Sequence, residues 1–184
     1  PEADGHPLRF VAPTPDEAAE ADCDAWILAL PNGQSQPWVE AIERRDASRL
    51  MVDLSTDHRF DARWVYGLPE LNKEAIRSAT RVASPGCFAT TIALGLLPLA
   101  HAGLLRGAIH TIGITGSSGS GAYASTGTHH PLRANNLKTY KVLNHQHRPE
   151  IEQTLRSASP NPGEFSLAFV PVSAPLVRGI LANS

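Results

Sequence analysis

The chain has 184 residues, 42% of them apolar, and a formal net charge of −2. That length suits one large domain or two small ones, and no apolar run reaches the roughly 18–20 residues of a membrane span. No broad basic field points to nucleic acid, the opening "PEADGHPLRF" lacks a signal-peptide pattern, and two cysteines build no disulfide framework, so a reduced, cytoplasmic protein is expected. Fifteen prolines and fourteen glycines imply many turns, as a sheet-containing fold requires. "LRFV" (8–11) reads as a short strand, followed by an acidic helix with Thr14 as N-cap and Pro15 in its first turn. "DAWILAL" (24–30) and "RLMVDLS" (49–55) are compact apolar runs, the mark of buried parallel strands, with a helix capped by Ser35 between them. "EAIRSA" gives a helix and "TRVASP" a strand, so the first half alternates strand and helix around a parallel sheet.

The second half changes character. "FATTIALGLLPLAHAG" (88–103) is apolar almost all round and predicts a buried helix. "AIHTIGIT" (108–115) is a strand, "GSSGSGA" a flexible loop, and a polar stretch rich in His and Asn follows. "RPEIEQTLRSA" (148–158) is an amphipathic helix, while "EFSLAFVPV" (164–172) and "LVRGILAN" (176–183) are strands. Long strands with fewer helices suggest an α+β domain. The chain opens without a complete first βαβ unit and stops inside a strand, as a fragment would.

Four features carry candidate chemistry. In "ASPGCFATT" Cys87 follows a Pro-Gly pair and opens the apolar helix. Unpaired N–H groups and the positive end of the helix dipole favour thiolate there over a thiol that ordinarily titrates at about 8.5. Burial as a packing residue remains the alternative, and it is the reading adopted for Cys23. "NHQHRPEI" holds His145 and His147, which share one side if the segment is extended, although solvated loop histidines are the commoner outcome. "THHP" adds His129 and His130, but without HExxH or CxxC no metal is expected. "GITGSSGSGA" offers backbone N–H groups to cradle a phosphate, or a close approach to a flat ring; a plain connector is the alternative. "ALPNG" (29–33) lies at the carboxyl end of a parallel strand, where cofactors bind in open α/β sheets.

In this order, "ALPNG", "VDLSTDHRF", "YGLPELNKEAI", "ASPGCFATTIALGLLPLA", "GITGSSGSGA", "LKTYKVLNHQHRPEIEQTL" and "VRGILA" resemble the N-acetyl-gamma-glutamyl-phosphate reductase family, with its relatives that reduce aminoadipyl phosphate in lysine synthesis. The resemblance implies an α/β fold: a partial Rossmann-type dinucleotide-binding domain over 1–86, lacking its Gly-rich turn, then an α+β catalytic domain over 87–184 like that of glyceraldehyde-3-phosphate dehydrogenase. It implies NADPH-dependent reduction of a small-molecule acyl phosphate through a cysteine thioester, by a homo-oligomer (dimer or tetramer) that needs neither nucleic acid nor a membrane. Cys87 would be the nucleophile and His145 the general acid/base, with His147 on the substrate side and Leu30, Pro31, Gly116 and Ser117 on the cofactor. In the same polar segment Arg133, Lys138 and Lys141 are candidates to hold the substrate carboxylate or phosphate, Arg133 by its forked donors, with surface charge as the alternative, and Tyr140 is a further substrate-binding candidate. "THHPLRA" is similar to the aminoadipyl branch, whereas "YGLPELN" and "HQHRPEI" are similar to the arginine branch. A non-catalytic remnant acting through oligomer contacts is the alternative of a different class.

Overall fold

A computed structural model describes residues 2–3, 6–7, 10–121 and 123–184. It divides into two compact units, one of residues 1–67 with 74–84 and one of residues 68–73 with 85–184.

In the first unit, β1 (Glu2–Ala3) and β2 (His6–Pro7) pair antiparallel. The strand read into 8–11 falls partly outside the described residues, and Phe10 and Val11 are exposed and in no strand. Helix α1 (Pro15–Ala19) starts as the sequence predicts. Thr14 Oγ1 accepts from the Glu17 N–H, and the Glu17 carboxylate accepts from the Thr14 N–H, so two otherwise orphaned donors are satisfied. Then come β3 (Ala25–Leu28), α2 (Gln36–Arg45), β4 (Leu50–Asp53), β5 (Val65–Tyr66), α3 (Pro69–Ser78) and β6 (Arg81–Ala83). The sheet has order β3-β4-β6-β5 and is parallel throughout. Leu28, Val39, Ile42, Met51 and Trp64 form its core, with Trp26 and Trp38 packed against them. Helix α3 loses helical geometry at Asn72 (φ −124°), close to where the units divide.

Side chains rather than regular structure close the carboxyl edge of this sheet. Ser35 holds the cap position of α2 but makes no capping bond; its hydroxyl turns instead to the Asp57 carboxylate at 2.7 Å. Asp57 also accepts the N–H groups of Gly33 (2.6 Å) and Ser35 (3.1 Å), and Asn32 Oδ1 accepts the Thr56 N–H. The turn after β3 is thereby tied to the turn after β4. Beneath them the buried Asp53 carboxylate takes the N–H and hydroxyl of Ser55, and buried His58 stacks on Trp64 with ring centroids 4.2 Å apart.

The second unit runs α4 (Cys87–His101), β7 (Gly107–Thr115), two single 3₁₀ turns (Ser117–Ser120 and Thr126–Thr128), α5 (His130–Arg133), β8 (Lys138–Thr139), α6 (His147–Ala158), β9 (Phe165–Ser173) and β10 (Ile180–Asn183). The sheet order is β10-β7-β9-β8. β7 and β9 are parallel over nine residue pairs, and the outer strands are antiparallel to them. Helices α4 and α6 pack on each other and on these central strands. Helix α4 departs from the all-round burial that its composition suggests. Phe88, Ile92, Leu96 and Ala100 are buried, but Leu94 and Leu99 are 40% and 44% exposed, so only one face is covered. The strand expected over 176–183 begins only at Ile180, because residues 176–179 are used to hold a loop. Among the described residues no helix is long and apolar enough to cross a membrane.

Asp57 supplies the test of the first unit. Burial alone would raise its pKa, but the bonds from Gly33 and Ser35 outweigh it and hold the carboxyl below the usual range. A depressed folded-state value means that this stabilisation is complete above the ordinary carboxylate range and disappears as pH falls through the folded value. Asp57→Ala, which leaves the donors of the Gly33–Ser35 turn without their acceptor, should cost about 1–3 kcal/mol in urea unfolding at pH 7 and visibly less at pH 3. An equal loss at both pH values would remove the carboxylate from this role.

Candidate functional site

Cys87 is the first residue of α4, and it is exposed. The cap position before it is Gly86, which has no side chain to satisfy the first helical N–H groups, so they stay available beside the sulfur. Two groups from the first turns of α6 close on the same residue. The Gly86 N–H donates to Glu150 Oε1 at 2.8 Å, and Glu150 is buried. The His147 ring lies so near that a Cβ on Gly86 would come within 2.5 Å of Nε2. Glycine is therefore required here by close approach. Thr90 Oγ1 returns to the Gly86 carbonyl and Thr91 Oγ1 to that of Cys87, both at 3.0 Å, which fixes the first turn from within.

The two histidines are neither in an extended segment nor solvated. His145 precedes α6 and His147 begins it, and they are 4% and 8% exposed. The His147 N–H donates to His145 Nδ1 at 3.1 Å, and the ring centroids are 4.8 Å apart. Around His145 stand the rings of Phe88, Tyr140 and Phe169, all at 5.4–5.7 Å. Burial, with the neighbouring His147 and Lys141 acting in the same sense and Glu150 opposing, lowers the His145 pKa to about 4. Burial likewise raises that of Tyr140, assisted by Cys87 and opposed by Arg133. The segment before the histidines is tied to β9 through Tyr140 N–H to Pro171 O and Leu143 N–H to Phe169 O. Lys141 and Leu143 take φ of +44° and +57° there, the left-handed backbone that non-glycine residues adopt at a cost. His129 and His130 are exposed and do not line the cleft at Cys87, and among the described residues no group of His, Cys, Asp and Glu is placed to hold a metal ion.

Cys87, Phe88, Tyr140, His145 and His147 line a cleft of about 170 Å³. An adjoining cleft of about 220 Å³ shares Tyr140 and Thr115 with it and contains Arg133, Lys138, Ser125 and Thr128. The Nε and Nη2 groups of Arg133 are buried and have no hydrogen-bond partner among the described residues. These two donors form one edge of the guanidinium, the side-on fork that matches a carboxylate or phosphate, and leaving them unpaired is costly without a ligand. Lys141, by contrast, is exposed and donates to Gln146.

On its other side Cys87 borders an open hollow of about 390 Å³ lined by Thr90, Thr91, Ser118, Gly119 and Gly179. The Gly/Ser loop is here, and it is not a flexible connector. The N–H groups of Gly116, Ser117 and Ser118 donate to the carbonyls of Gly179, Leu176 and Val177. They are thus unavailable to cradle a phosphate. A Cβ on Gly116 would meet the Arg178 backbone at 2.7 Å, whereas Gly119 faces open space with only Thr115 Oγ1 nearby. The loop offers a floor almost without side chains beside the thiol, which fits a flat ring and not a phosphate. Leu30 and Pro31 belong to the other unit, just past the carboxyl end of β3. Cys23 has no such setting; its carbonyl accepts from Arg49.

Sequence reasoning missed Glu150. The signal was present in "HQHRPEI": with a helix beginning at His147, a carboxylate three residues on shares its face.

Two family models match the chain: the semialdehyde dehydrogenase NAD binding domain over residues 2–79 and the semialdehyde dehydrogenase dimerisation domain over residues 87–184. The chain belongs to the semialdehyde dehydrogenase family. It is 38% identical over 173 residues to an N-acetyl-gamma-glutamyl-phosphate reductase of Xanthomonas campestris pv. campestris, a match covering 94% of this chain and 52% of that one. It is 39% identical over 188 residues to a [LysW]-L-2-aminoadipate 6-phosphate reductase of Deinococcus radiodurans, covering 91% of this chain and 52% of that one. The chain therefore spans about half the length of these curated relatives. Aspartate semialdehyde dehydrogenase from Francisella tularensis has the same fold, with a TM-score of 0.65 at 12% identity, covering 91% of this chain and 58% of that one.

Gly86→Ala tests the close approach. The added methyl must displace the His147 ring, so the variant should lose roughly 1–3 kcal/mol of stability and react with iodoacetamide at Cys87 at a changed rate. An unaltered melting temperature and alkylation rate would show that the ring yields without cost.

Proposed function

We propose that this chain carries the reacting centre of an NADPH-dependent acyl-phosphate reductase that converts N-acetyl-gamma-glutamyl phosphate to the semialdehyde with release of phosphate, a step of arginine biosynthesis. The observation that carries the reading is a single cleft in which an exposed helix-start cysteine meets two buried histidines, next to an unpaired arginine fork. The relatives of both branches support the reaction class, and the matched dimerisation domain supports a homo-oligomer.

Cys87 Sγ attacks the acyl carbon, the carbon–oxygen bond to phosphate breaks, and a thioester remains on the enzyme. N–H groups in the first turn of α4 face the oxygen that becomes negative in this step. Gly116, Ser117 and Gly119 would hold the nicotinamide of the cofactor, and Leu30 and Pro31 are the residues proposed to bind it from the first unit; when bound it would supply the hydride that takes the thioester to the aldehyde level. His145 and His147 serve the proton and hydrogen-bond needs of the same oxygen. Arg133 anchors the substrate carboxylate in the adjoining cleft, with Tyr140 between the two clefts. The aminoadipyl phosphate of the lysine branch presents the same acyl phosphate, and the Deinococcus relative keeps it as the second reading.

Assay of the full-length protein with both acyl phosphates decides between them: the acetylglutamyl compound should show the higher kcat/KM, and a preference for the carrier-linked one would reverse the assignment. Cys87→Ser should abolish turnover of either, and near-normal activity would end the reductase reading. Arg133→Lys keeps the charge but loses the fork, and should raise KM about 10–100-fold with a smaller change in kcat. An unchanged KM would place the substrate carboxylate elsewhere.

A further inference from the structure

One buried polar ring of the first unit takes no part in the chemistry described so far. His58 is 3% exposed, lies flat on Trp64 and brings Nε2 to within 3.1 Å of Ser35 Oγ. The hydrogens of this contact follow from its neighbours. Ser35 Oγ is 2.7 Å from Asp57 Oδ2, and a carboxylate only accepts, so the single hydroxyl hydrogen goes to Asp57. His58 Nε2 is then the donor, and its N–H occupies the accepting side of the hydroxyl. Nδ1 faces Asp61 Oδ2 at 3.9 Å, beyond hydrogen-bond reach, and that oxygen is taken by the Arg63 guanidinium at 2.8 Å. The bonds therefore run one way, from the imidazole through the hydroxyl to the Asp57 carboxylate. Asp57 in turn holds the N–H groups of Gly33 and Ser35, in the turn that contains Leu30 and Pro31. A phenyl ring would stack on Trp64 as well; what the imidazole adds is one buried donor.

We infer that His58 is a positioning residue for the dinucleotide: its Nε2–H fixes the Ser35 hydroxyl on Asp57, and with it the turn at residues 30–35 that meets the cofactor. This rests on reading the carboxyl edge of the first sheet as the cofactor edge, which the match of residues 2–79 to an NAD binding domain supports. His58 acts through Ser35 and touches no ligand. Without its donor the Ser35 hydroxyl either keeps a buried lone pair unmet or rotates away from Asp57. Rotation removes one of the three hydrogen bonds that the Asp57 carboxylate accepts among the described residues, and the two that remain come from the turn itself.

Three measurements test the inference. In ¹⁵N-histidine NMR of the unliganded chain at pH 8, His58 should carry hydrogen on Nε2; a bare Nε2 with the hydrogen on Nδ1 overturns the inference whatever the cofactor proves to be. His58→Phe keeps a ring for Trp64 and removes the donor. It should speed amide exchange at Gly33 and Ser35 about 5–20-fold, leaving β6 unchanged, and His58→Gln, which keeps an N–H donor at the reach of Nε2, should restore most of the protection. Exchange that rises equally across the sheet and is not restored in His58→Gln makes the ring a packing residue and overturns the inference. In the full-length protein, His58→Phe should raise the NADPH dissociation constant about 5–20-fold and leave kcat at saturating NADPH within about twofold. Parent affinity in His58→Phe, with the turn loosened, overturns the positioning role. A parent protein that binds no NADPH fails the cofactor reading instead, and the exchange result still decides whether His58 holds the turn.

Discussion

The hold of α6 on the Gly86 peptide is the constraint on which the site depends. Glu150 accepts its N–H and His147 covers its Cα, although Glu150 is 64 residues away in the chain. The fold makes this meeting possible: β7 and β9 run parallel, and α4 and α6 pack together on them. The carboxylate and imidazole of one helix thus meet the first turn of the other. The nucleophile role proposed for Cys87 needs a fixed backbone and a free side chain, and Gly86 and Cys87 separate these needs into neighbouring residues. Every further feature of the cleft is arranged around that turn.

Electrostatics then sort the groups. The buried imidazoles of His145 and His147 lie 4.8 Å apart, and burial, with His147 acting in the same sense, lowers the His145 pKa to about 4. His145 Nδ1 accepts the His147 N–H and so caps the start of α6. The cationic fork of Arg133 belongs to the adjoining cleft and is separated from the histidines by Tyr140.

Much of the fold was legible in the sequence. The Thr14 cap, the parallel strands of the first half and Cys87 at a helix start all follow from local pattern, since each depends on residues within a few positions. Failures arose where long-range contacts override local pattern. The Gly/Ser loop looks flexible because glycine and serine carry no packing signal, yet its N–H groups are fastened to residues 176–179, which for that reason do not extend β10. The all-apolar composition of α4 hides its open face at Leu94 and Leu99. Ser35 looks like a cap, but Asp57, 22 residues on, takes its hydroxyl. The histidines seemed solvated because their spacing says nothing of Phe88, Phe169 and Tyr140. Arg133 was one of several cations in a polar stretch; only its unpaired, buried fork singles it out.

Amide hydrogen exchange at Gly86 measures the central contact directly. With its N–H on the buried Glu150 carboxylate, Gly86 should exchange slowly, and Glu150→Ala should accelerate that exchange by about 10–100-fold, the range of a charge-assisted bond. Equal exchange rates in the two proteins would show that α6 does not hold the turn that carries Cys87.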